Sequence, residues 1–237
     1  MYIKNNILKN WDDLPEFMRN PEVRFYYDIL DKKRGSLIVK RVFDIVISFF
    51  LLVVFSVPML VIAVLIKLDS RGPIFYRQER VTKNGKKFKI HKFRTMVNHA
   101  DQMGTAITIL NDTRITKVGN RLRRSRLDEL PQLIDIFVGD MSFVGTRPEI
   151  VRYVREYTPE MRATLLLPAG VTSEASIRYK EENKLLDCVE NVDVAYIEKV
   201  LPAKMEWNLK SIQQFSLWQD LLTCFRTILA VMGKDYS

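Results

Sequence analysis

Residues that bind zinc or form covalent cross-links are scarce in this sequence. Its 237 residues include two cysteines, Cys188 and Cys224, and two histidines. The cysteines lie far apart and have no partners at the spacing of a metal site. The sequence therefore argues against a zinc centre and against a disulfide framework, and it fits a reducing compartment.

Two other features are absent. The chain has no internal repeat and no low-complexity tract, which argues against a repeat protein and a disordered linker. Its first 40 residues are polar and aromatic, and the first apolar block begins too late and runs too long for a cleavable secretory signal. We therefore expect one folded domain, or one domain with a membrane anchor.

Basic side chains outnumber acidic ones in this sequence. The chain has 37 basic and 28 acidic side chains, which gives a formal net charge of +9. Such an excess suits an anionic partner, and nucleic acid, acidic lipid and a phosphorylated substrate all meet that description. Charge alone does not distinguish among them.

A long uncharged apolar segment is the most prominent feature. Residues 45–66 form a run of 22 residues without a charge, which is the length that a membrane-spanning helix needs. Pro58 lies just past the middle and cannot donate a helical hydrogen bond, while Ser56 could satisfy a carbonyl one turn back. We predict that the segment breaks at these two residues and returns to the face it entered, with arms of roughly 15 Å.

Basic residues flank this segment on both sides, whereas a spanning helix usually has its positive flank on the cytoplasmic side only. Two basic flanks favour the re-entrant hairpin over a single transmembrane helix, which stays the alternative on length alone. The flanking residues are Lys32, Lys33, Arg34, Lys40 and Arg41 before the segment and Lys67, Arg71, Arg77 and Arg80 after it.

Local patterns predict a β-hairpin and further helices. Residues 74–76 and 88–90 enclose Asn84-Gly85, which supplies the positive φ angles that a hairpin turn requires. Two apolar stripes at helical spacing are interpreted as core faces, with a membrane-surface helix as the alternative. The first comprises Leu127, Leu130, Ile134 and Phe137, and the second Leu217, Leu221, Leu222, Phe225, Leu229 and Met232.

Asp128 and Glu129 are candidates for chemistry because they directly follow a stretch rich in arginine. Ser125 begins a Ser-x-x-acid capping pattern, which is a structural explanation of equal weight. Pro131 instead favours a helix that starts at or just before Asp128. Either start places both carboxylates at a helix N-terminus, where they are expected to be ionised and able to act as nucleophile or Mg²⁺ ligand.

Two short segments carry arginines in surroundings typical of phosphate binding. They are residues 92–96 (KFRTM) with Arg94 and residues 145–149 (GTRPE) with Arg147. For any single arginine, a surface cation is the more common role. His91 and His99 have no matching partners in the sequence and are interpreted as structural or solvent-facing.

Taken together, these segments resemble the bacterial sugar transferase family of monotopic polyprenyl-phosphate phosphoglycosyl transferases. The similarity extends from about Lys40 to the C-terminus and rests on several motifs in a fixed order. The motifs are residues 40–44 (KRVFD), 72–78 (GPIFYRQ), 92–96 (KFRTM), 127–133 (LDELPQL) and 139–145 (GDMSFVG).

The resemblance implies an α+β, mostly helical fold. In it, a monotopic membrane protein combines a re-entrant helix-break-helix with a small β-hairpin and membrane-surface amphipathic helices. We accordingly expect an N-terminal extension (1–39), a re-entrant membrane segment (40–67) and a cytosolic catalytic domain (68–237). The expected location is the bacterial cytoplasmic (inner) membrane, with the catalytic domain on its cytoplasmic face.

The resemblance also implies a reaction. Asp128 attacks the β-phosphorus of a UDP-sugar and releases UMP, and polyprenyl (undecaprenyl) phosphate then takes the sugar phosphate from the aspartate. Glu129 holds Mg²⁺. Partners are the UDP-sugar donor, the polyprenyl phosphate acceptor and membrane lipids but no nucleic acid, and homo-oligomerisation is left open. The family's phosphate- and substrate-binding positions fall on Arg94, Arg123 and Arg147, with Lys92 and Pro148 beside them.

Three positions differ from the family's usual pattern. Val57 separates Ser56 from Pro58, which are usually adjacent. Thr146 stands where a proline usually precedes the arginine, which predicts a less rigid loop. Residues 173–176 (SEAS) replace a Gly-hydrophobic-Ala-Gln stretch, so the sugar or nucleoside preference does not follow from the resemblance.

Two other functions fit the residues. One is a membrane-tethered basic protein that binds nucleic acid or acidic lipid, and it requires salt-dependent binding without nucleotide turnover. The other is an inactive bitopic scaffold. The expected enzyme would initiate the synthesis of a membrane glycoconjugate, a capsule or an exopolysaccharide.

A re-entrant segment returns both of its ends to one membrane face. A cysteine placed before Lys40 should therefore react with a membrane-impermeant thiol reagent from the same side of sealed vesicles as a cysteine placed after residue 67. Labelling from opposite sides would identify a spanning helix and support the scaffold.

Overall fold

The structure is a computed structural model that describes residues 7–100, 112–179 and 191–231, so Cys188 and Met232 lie outside the described residues. Its strands are β1 (Phe75–Val81), β2 (Lys87–Phe93), β3 (Met141–Val144) and β4 (Ala169–Thr172). Its helices are α1 (Pro21–Asp31), α2 (Arg34–Val54), α3 (Ser56–Asp69), α4 (Lys117–Arg124), α5 (Gln132–Val138), α6 (Val151–Arg155), α7 (Glu174–Arg178), α8 (Val192–Ala195), α9 (Leu201–Gln213) and α10 (Leu217–Val231).

The uncharged segment is a broken helix, as predicted. Helices α2 and α3 meet at an angle of 61°, and Phe55 is the residue between them. Ser56 Oγ donates to the carbonyl of Val53 at 2.7 Å, which satisfies an acceptor at the end of α2. The break therefore lies one residue before Ser56, and Val57 between Ser56 and Pro58 does not prevent it.

Within the described ranges, no single helix has the length and apolar character to cross a membrane, whereas α2 and α3 meet that test together. Most of the apolar residues on this pair are exposed, including Leu68 at 80%. An apolar surface of this extent requires an apolar environment or a partner. The others are Val39, Val42, Phe43, Val46, Phe49, Phe50, Val53, Val54, Val57, Leu60, Val61, Val64 and Leu65.

The predicted hairpin is present and longer than expected. Strands β1 and β2 pair antiparallel from Phe75 opposite Phe93 to Val81 opposite Lys87. Asn84 (φ 57°) and Gly85 (φ 73°) form the left-handed part of the turn, as their sequence indicated. Ile74 lies outside the strand.

A second sheet was not predicted. Strands β3 and β4 pair in parallel, and Gly145, which follows β3, closely approaches the backbone of Gly170 within β4. A Cβ atom on Gly170 would lie 2.2 Å from the Gly145 nitrogen, so a larger residue would separate the two segments. Strands of four residues are too short for periodicity to reveal them.

The main core joins the N-terminal segment to the C-terminal half of the chain. Residues 8–37 contribute Met18 and Leu30, both fully buried, and α9 contributes Leu201 and Met205. Two smaller hydrophobic clusters include residues of β2. One packs Phe88 and Ile90 against α5, and the other packs Phe93 against α3 and α4. The N-terminal segment is thus part of the packed structure.

The interpretation of both apolar stripes as core faces is wrong. Leu127 precedes α5 in a separate turn, and Phe137 is 40% exposed, because the core face of α5 consists of Leu133 and Ile136. On α10 the buried residue is Thr223, and an apolar face points outward. The membrane-surface alternative for α10 predicts such an exposed apolar face and stays a prediction. The exposed residues of that face are Trp218, Leu221, Phe225, Ile228 and Val231.

Leu30→Ala should lower the free energy of unfolding by about 2–5 kcal/mol, because it removes a fully buried side chain from the main core. Phe25→Ala on the same helix is the control, since Phe25 is 56% exposed and should change stability by about 0.5 kcal/mol or less. Denaturation in detergent micelles measures both. Equal losses would show that α1 is not packed as described.

Candidate functional site

The carboxylate pair lies in a tight turn between two helices. Residues 127–129 form a 3-10 turn that follows Arg126 in the left-handed conformation (φ 56°). Ser125 does not cap this turn, because its Oγ donates back to the carbonyl of Arg121 at the end of α4. The capping-box explanation is therefore wrong. Pro131 has helical φ and ψ angles and directly precedes α5, so the α-helix begins at Gln132 and not at or just before Asp128 as predicted. The turn of residues 127–129 forms a separate 3-10 element ahead of it.

Glu129 is held by cations from two separate segments. Its Oε1 accepts from Lys92 Nζ at 2.7 Å and from Arg147 Nη2 at 2.8 Å. Burial acts to raise the pKa of Glu129, but Arg147, Lys92 and Arg126 together lower it well below its usual value. This carboxylate is ionised, as expected from the sequence.

Asp128 differs from its neighbour. It is 8% exposed, and its Oδ1 is buried with no hydrogen-bond partner. Burial, reinforced by the charge of Glu129, raises the pKa of Asp128 above its usual value, although Lys92, Arg123 and Arg126 oppose the shift. The expectation that both carboxylates are favoured in the ionised form is corrected for Asp128, because desolvation outweighs the nearby arginines.

Arg123 reaches the site because α4 lies directly on the segment that leaves β2. Its Nε donates to Thr95 Oγ1 at 2.9 Å. Gly119 permits the approach, since a Cβ atom there would lie 2.0 Å from the Thr95 carbonyl oxygen. Thr116 caps α4 by accepting from the Gly119 backbone N–H.

Arg94 points to the end of the broken helix. Its guanidinium donates to the carbonyls of Ser70 (2.7 Å) and Arg71 (3.0 Å), just beyond α3. A cation at a helix C-terminus interacts favourably with the last carbonyls. Phosphate binding by Arg94 stays a prediction, and what the structure shows is a link between the end of the broken helix and the site.

The two carboxylates open onto a cleft of about 1720 Å³ whose lining is rich in cations. The cleft is lined by more than twice as many basic residues as acidic ones. The acidic residues are Asp128, Glu129, Glu149 and Asp193. Such a wall concentrates anions and is suited to a diphosphate. The basic residues are Arg77, Arg80, Lys92, Arg94, Arg114, Arg123, Arg124, Arg126, Arg147, Arg152 and Lys204.

A family model described as bacterial sugar transferase matches residues 35–234. The chain belongs to the bacterial sugar transferase family. The family resemblance of the motifs from Lys40 onward is thereby confirmed, and the extension before residue 35 lies outside the match.

Three named relatives are similar to 60–82% of this chain. The UDP-N-acetylgalactosamine-undecaprenyl-phosphate N-acetylgalactosaminephosphotransferase of Aeromonas hydrophila is 34% identical over 197 residues, which are 82% of this chain and 44% of that protein. The UDP-glucose:undecaprenyl-phosphate glucose-1-phosphate transferase of Escherichia coli is 36% identical over 196 residues, 81% of this chain and 39% of that protein. This chain thus spans less than half the length of either.

A shorter relative is the exopolysaccharide production protein PSS of Rhizobium leguminosarum. It is 41% identical over 150 residues, which are 60% of this chain and 75% of that protein.

The site offers few ligands to a metal ion. Among the described residues, no three His, Cys, Asp or Glu side chains come together as a metal cluster. Mg²⁺ needs fewer protein ligands, since it is usually held by one or two carboxylates together with water and substrate phosphates. The unpartnered Oδ1 of Asp128 beside the ionised Glu129 fits such a site.

Two sets of contacts at the site were not predicted. His91 has a partner after all, because its Nδ1 lies 2.6 Å from Asp135 Oδ1 and its backbone N–H donates to Asp135 Oδ2. This pair fixes β2, which carries Lys92, against α5. The second set joins Glu149 to Tyr196 (2.6 Å) and Lys204 (3.7 Å). The partners in both sets are more than 40 residues apart in the sequence, so no local pattern could have indicated these contacts.

Gly119→Ala should destabilise the protein by roughly 1–3 kcal/mol, because the added Cβ overlaps the Thr95 backbone and must push α4 away. Gly35→Ala is the matched control: a Cβ there meets nothing within 4 Å, and alanine is the better helix former by up to about 1 kcal/mol. Thermal unfolding compares the two. A Gly119→Ala variant as stable as the control would contradict the close approach.

Proposed function

We propose that this chain transfers a sugar 1-phosphate from a UDP-sugar to polyprenyl (undecaprenyl) phosphate and releases UMP. The names of the two relatives described above support this class of donor and acceptor. The observation that carries the proposal is the buried Asp128 carboxylate, which has an unpartnered oxygen and faces a cation-rich cleft next to an ionised Glu129.

The proposed reaction has two displacements at the same phosphorus. First, an Asp128 carboxylate oxygen bonds to the β-phosphorus of the UDP-sugar, and the bond from that phosphorus to the bridging oxygen breaks, so that UMP leaves with the electron pair. A phosphate oxygen of the polyprenyl phosphate then bonds to the phosphorus, and the aspartyl bond breaks. The carboxylate is regenerated, and the product is a polyprenyl diphosphate sugar.

The surrounding cations suit charge stabilisation in both steps. Lys92 and Arg147 neutralise Glu129 in this structure and can turn to the donor phosphates when these enter. Arg123, held by Thr95, adds a third cation. Mg²⁺, when bound by Glu129 with Asp128 beside it, would neutralise the diphosphate and the leaving group.

The burial that raises the pKa of Asp128 also suits this residue to act as a nucleophile. A desolvated carboxylate is a stronger nucleophile than a hydrated one, and its unpartnered oxygen has no hydrogen bond to lose before it attacks.

We further propose that α2 and α3 enter the cytoplasmic membrane as a re-entrant pair and that α10 lies on its surface, with the catalytic residues on the cytoplasmic face. Support comes from the exposed apolar faces of these helices and the bend of 61°. A UDP-sugar is dissolved in the cytosol, whereas the acceptor is held in lipid. A carboxylate at the interface meets both in turn, which suits the first step of glycoconjugate, capsule or exopolysaccharide synthesis.

Asp128→Asn should abolish UMP release from a UDP-sugar supplied with undecaprenyl phosphate, because the amide cannot form the phosphoryl bond. Asp28→Asn, on an exposed surface ion pair with Arg24, is the control and should keep full turnover. Mass spectrometry of the wild type with donor alone should find a phosphosugar adduct at position 128. Turnover that survives Asp128→Asn would exclude the covalent route.

A further inference from the structure

A buried polar cluster binds the side chain of Glu149, which lies in the loop that carries Arg147. Glu149 Oε1 accepts from Tyr196 Oη at 2.6 Å, and Lys204 Nζ lies 3.1 Å from that hydroxyl and 3.7 Å from the carboxylate. We call these three residues the Glu149 cluster. Each of them is 4–6% exposed, and each borders the cleft.

Strand β1 binds the main chain of the same loop. Arg80 Nη1 donates to the carbonyl of Pro148 at 3.0 Å, and the backbone N–H of Val81 donates to the carbonyl of Glu149 at 3.0 Å. The main chain on the C-terminal side of Arg147 is therefore tied to β1, while the Glu149 side chain is tied to the last third of the protein.

The helix that supplies the cluster is irregular at this point. Residues 196–200 form a π-helical turn between α8 and α9. In a regular α-helix, residues eight positions apart differ by about 80° in direction, whereas residues seven apart differ by about 20°. The extra residue of a π-turn brings Tyr196 and Lys204 close to the second case, so that both reach one carboxylate.

We propose that Tyr196 and Lys204 are positioning residues for Arg147. Through Glu149 they fix the loop from which the Arg147 guanidinium donates to Glu129 at 2.8 Å. The inference rests on the proposed function, in that the group positioned is the cation expected to bind the donor phosphates. Neither residue needs to contact the donor for this role.

The chain offers a closely matched control pair. Tyr26 Oη donates to Glu160 Oε1, also at 2.6 Å, and accepts from Gln213 at 3.3 Å. Tyr26 belongs to the main core, Glu160 is exposed, and neither residue borders the cleft. Tyr26→Phe and Tyr196→Phe thus each remove a hydrogen bond from a tyrosine hydroxyl to a carboxylate. The bond of Tyr26 is partly buried and that of Tyr196 is fully buried, and only the bond of Tyr196 is connected to the Arg147 loop.

A double-mutant cycle tests the inference through UMP release. Tyr196→Phe should lower kcat/KM by about tenfold, because a hydrogen bond to a charged group is lost while the ring stays packed on Tyr153. In an Arg147→Ala background it should cause no further loss. Tyr26→Phe should leave kcat/KM unchanged in both backgrounds. The positioning role would be overturned if Tyr196→Phe lowered kcat/KM by the same factor in the Arg147→Ala background as in the wild type. It would also be overturned if Tyr196→Phe left the wild-type kcat/KM unchanged.

Hydrogen exchange tests the same inference without turnover. Tyr196→Phe should speed exchange in peptides covering residues 145–150, and Tyr26→Phe should not. If the wild type releases no UMP from any UDP-sugar, the proposed function fails, and faster exchange in this loop would still support the positioning of Arg147. Unchanged exchange in Tyr196→Phe would overturn the inference even in an active enzyme.

Discussion

The ion pairs of Glu129 are the constraint on which the rest of the site depends. A buried carboxylate is strongly destabilising unless it is paired, and its partners here come from distant parts of the chain. Lys92 lies in β2, Arg147 in the loop after β3, and Glu129 in the turn between α4 and α5. These three segments must therefore arrive together. Asp128, in contrast, has a buried oxygen that accepts no hydrogen bond.

The broken helix and the site form one packed unit. Arg94 binds carbonyls just beyond α3, and Phe93 packs with Ile62 and Ile66 of that helix. At the other end, Lys40 of α2 donates to the carbonyl of Val144 and pairs with Asp220 of α10. The apolar segment is thus connected both to the strand that carries Lys92 and to the strand that leads to Arg147. Its depth in a membrane would set the height of the carboxylates.

Local patterns predicted the elements whose geometry is set by neighbouring residues. The hairpin follows from Asn84-Gly85, and the bend at Phe55 follows from Pro58 and Ser56, since both depend on backbone rules that act within a turn. The stripes on α5 and α10 were misread, because an apolar stripe at helical spacing looks the same whether it faces a core or a lipid surface. The short parallel sheet gave no pattern at all.

The sequence by itself determined the family, the order of the motifs and the break in the apolar segment, because each of these follows from short runs of contiguous residues. It also singled out Asp128 and Glu129 as the candidate carboxylate pair. Only the tertiary structure decided that the pKa is raised at Asp128 and lowered at Glu129, that Asp135 holds His91, and that Glu149 joins the Arg147 loop to a π-turn. Desolvation and long-range pairing depend on which distant segments exclude water from one another. Residue spacing along the chain carries no record of that.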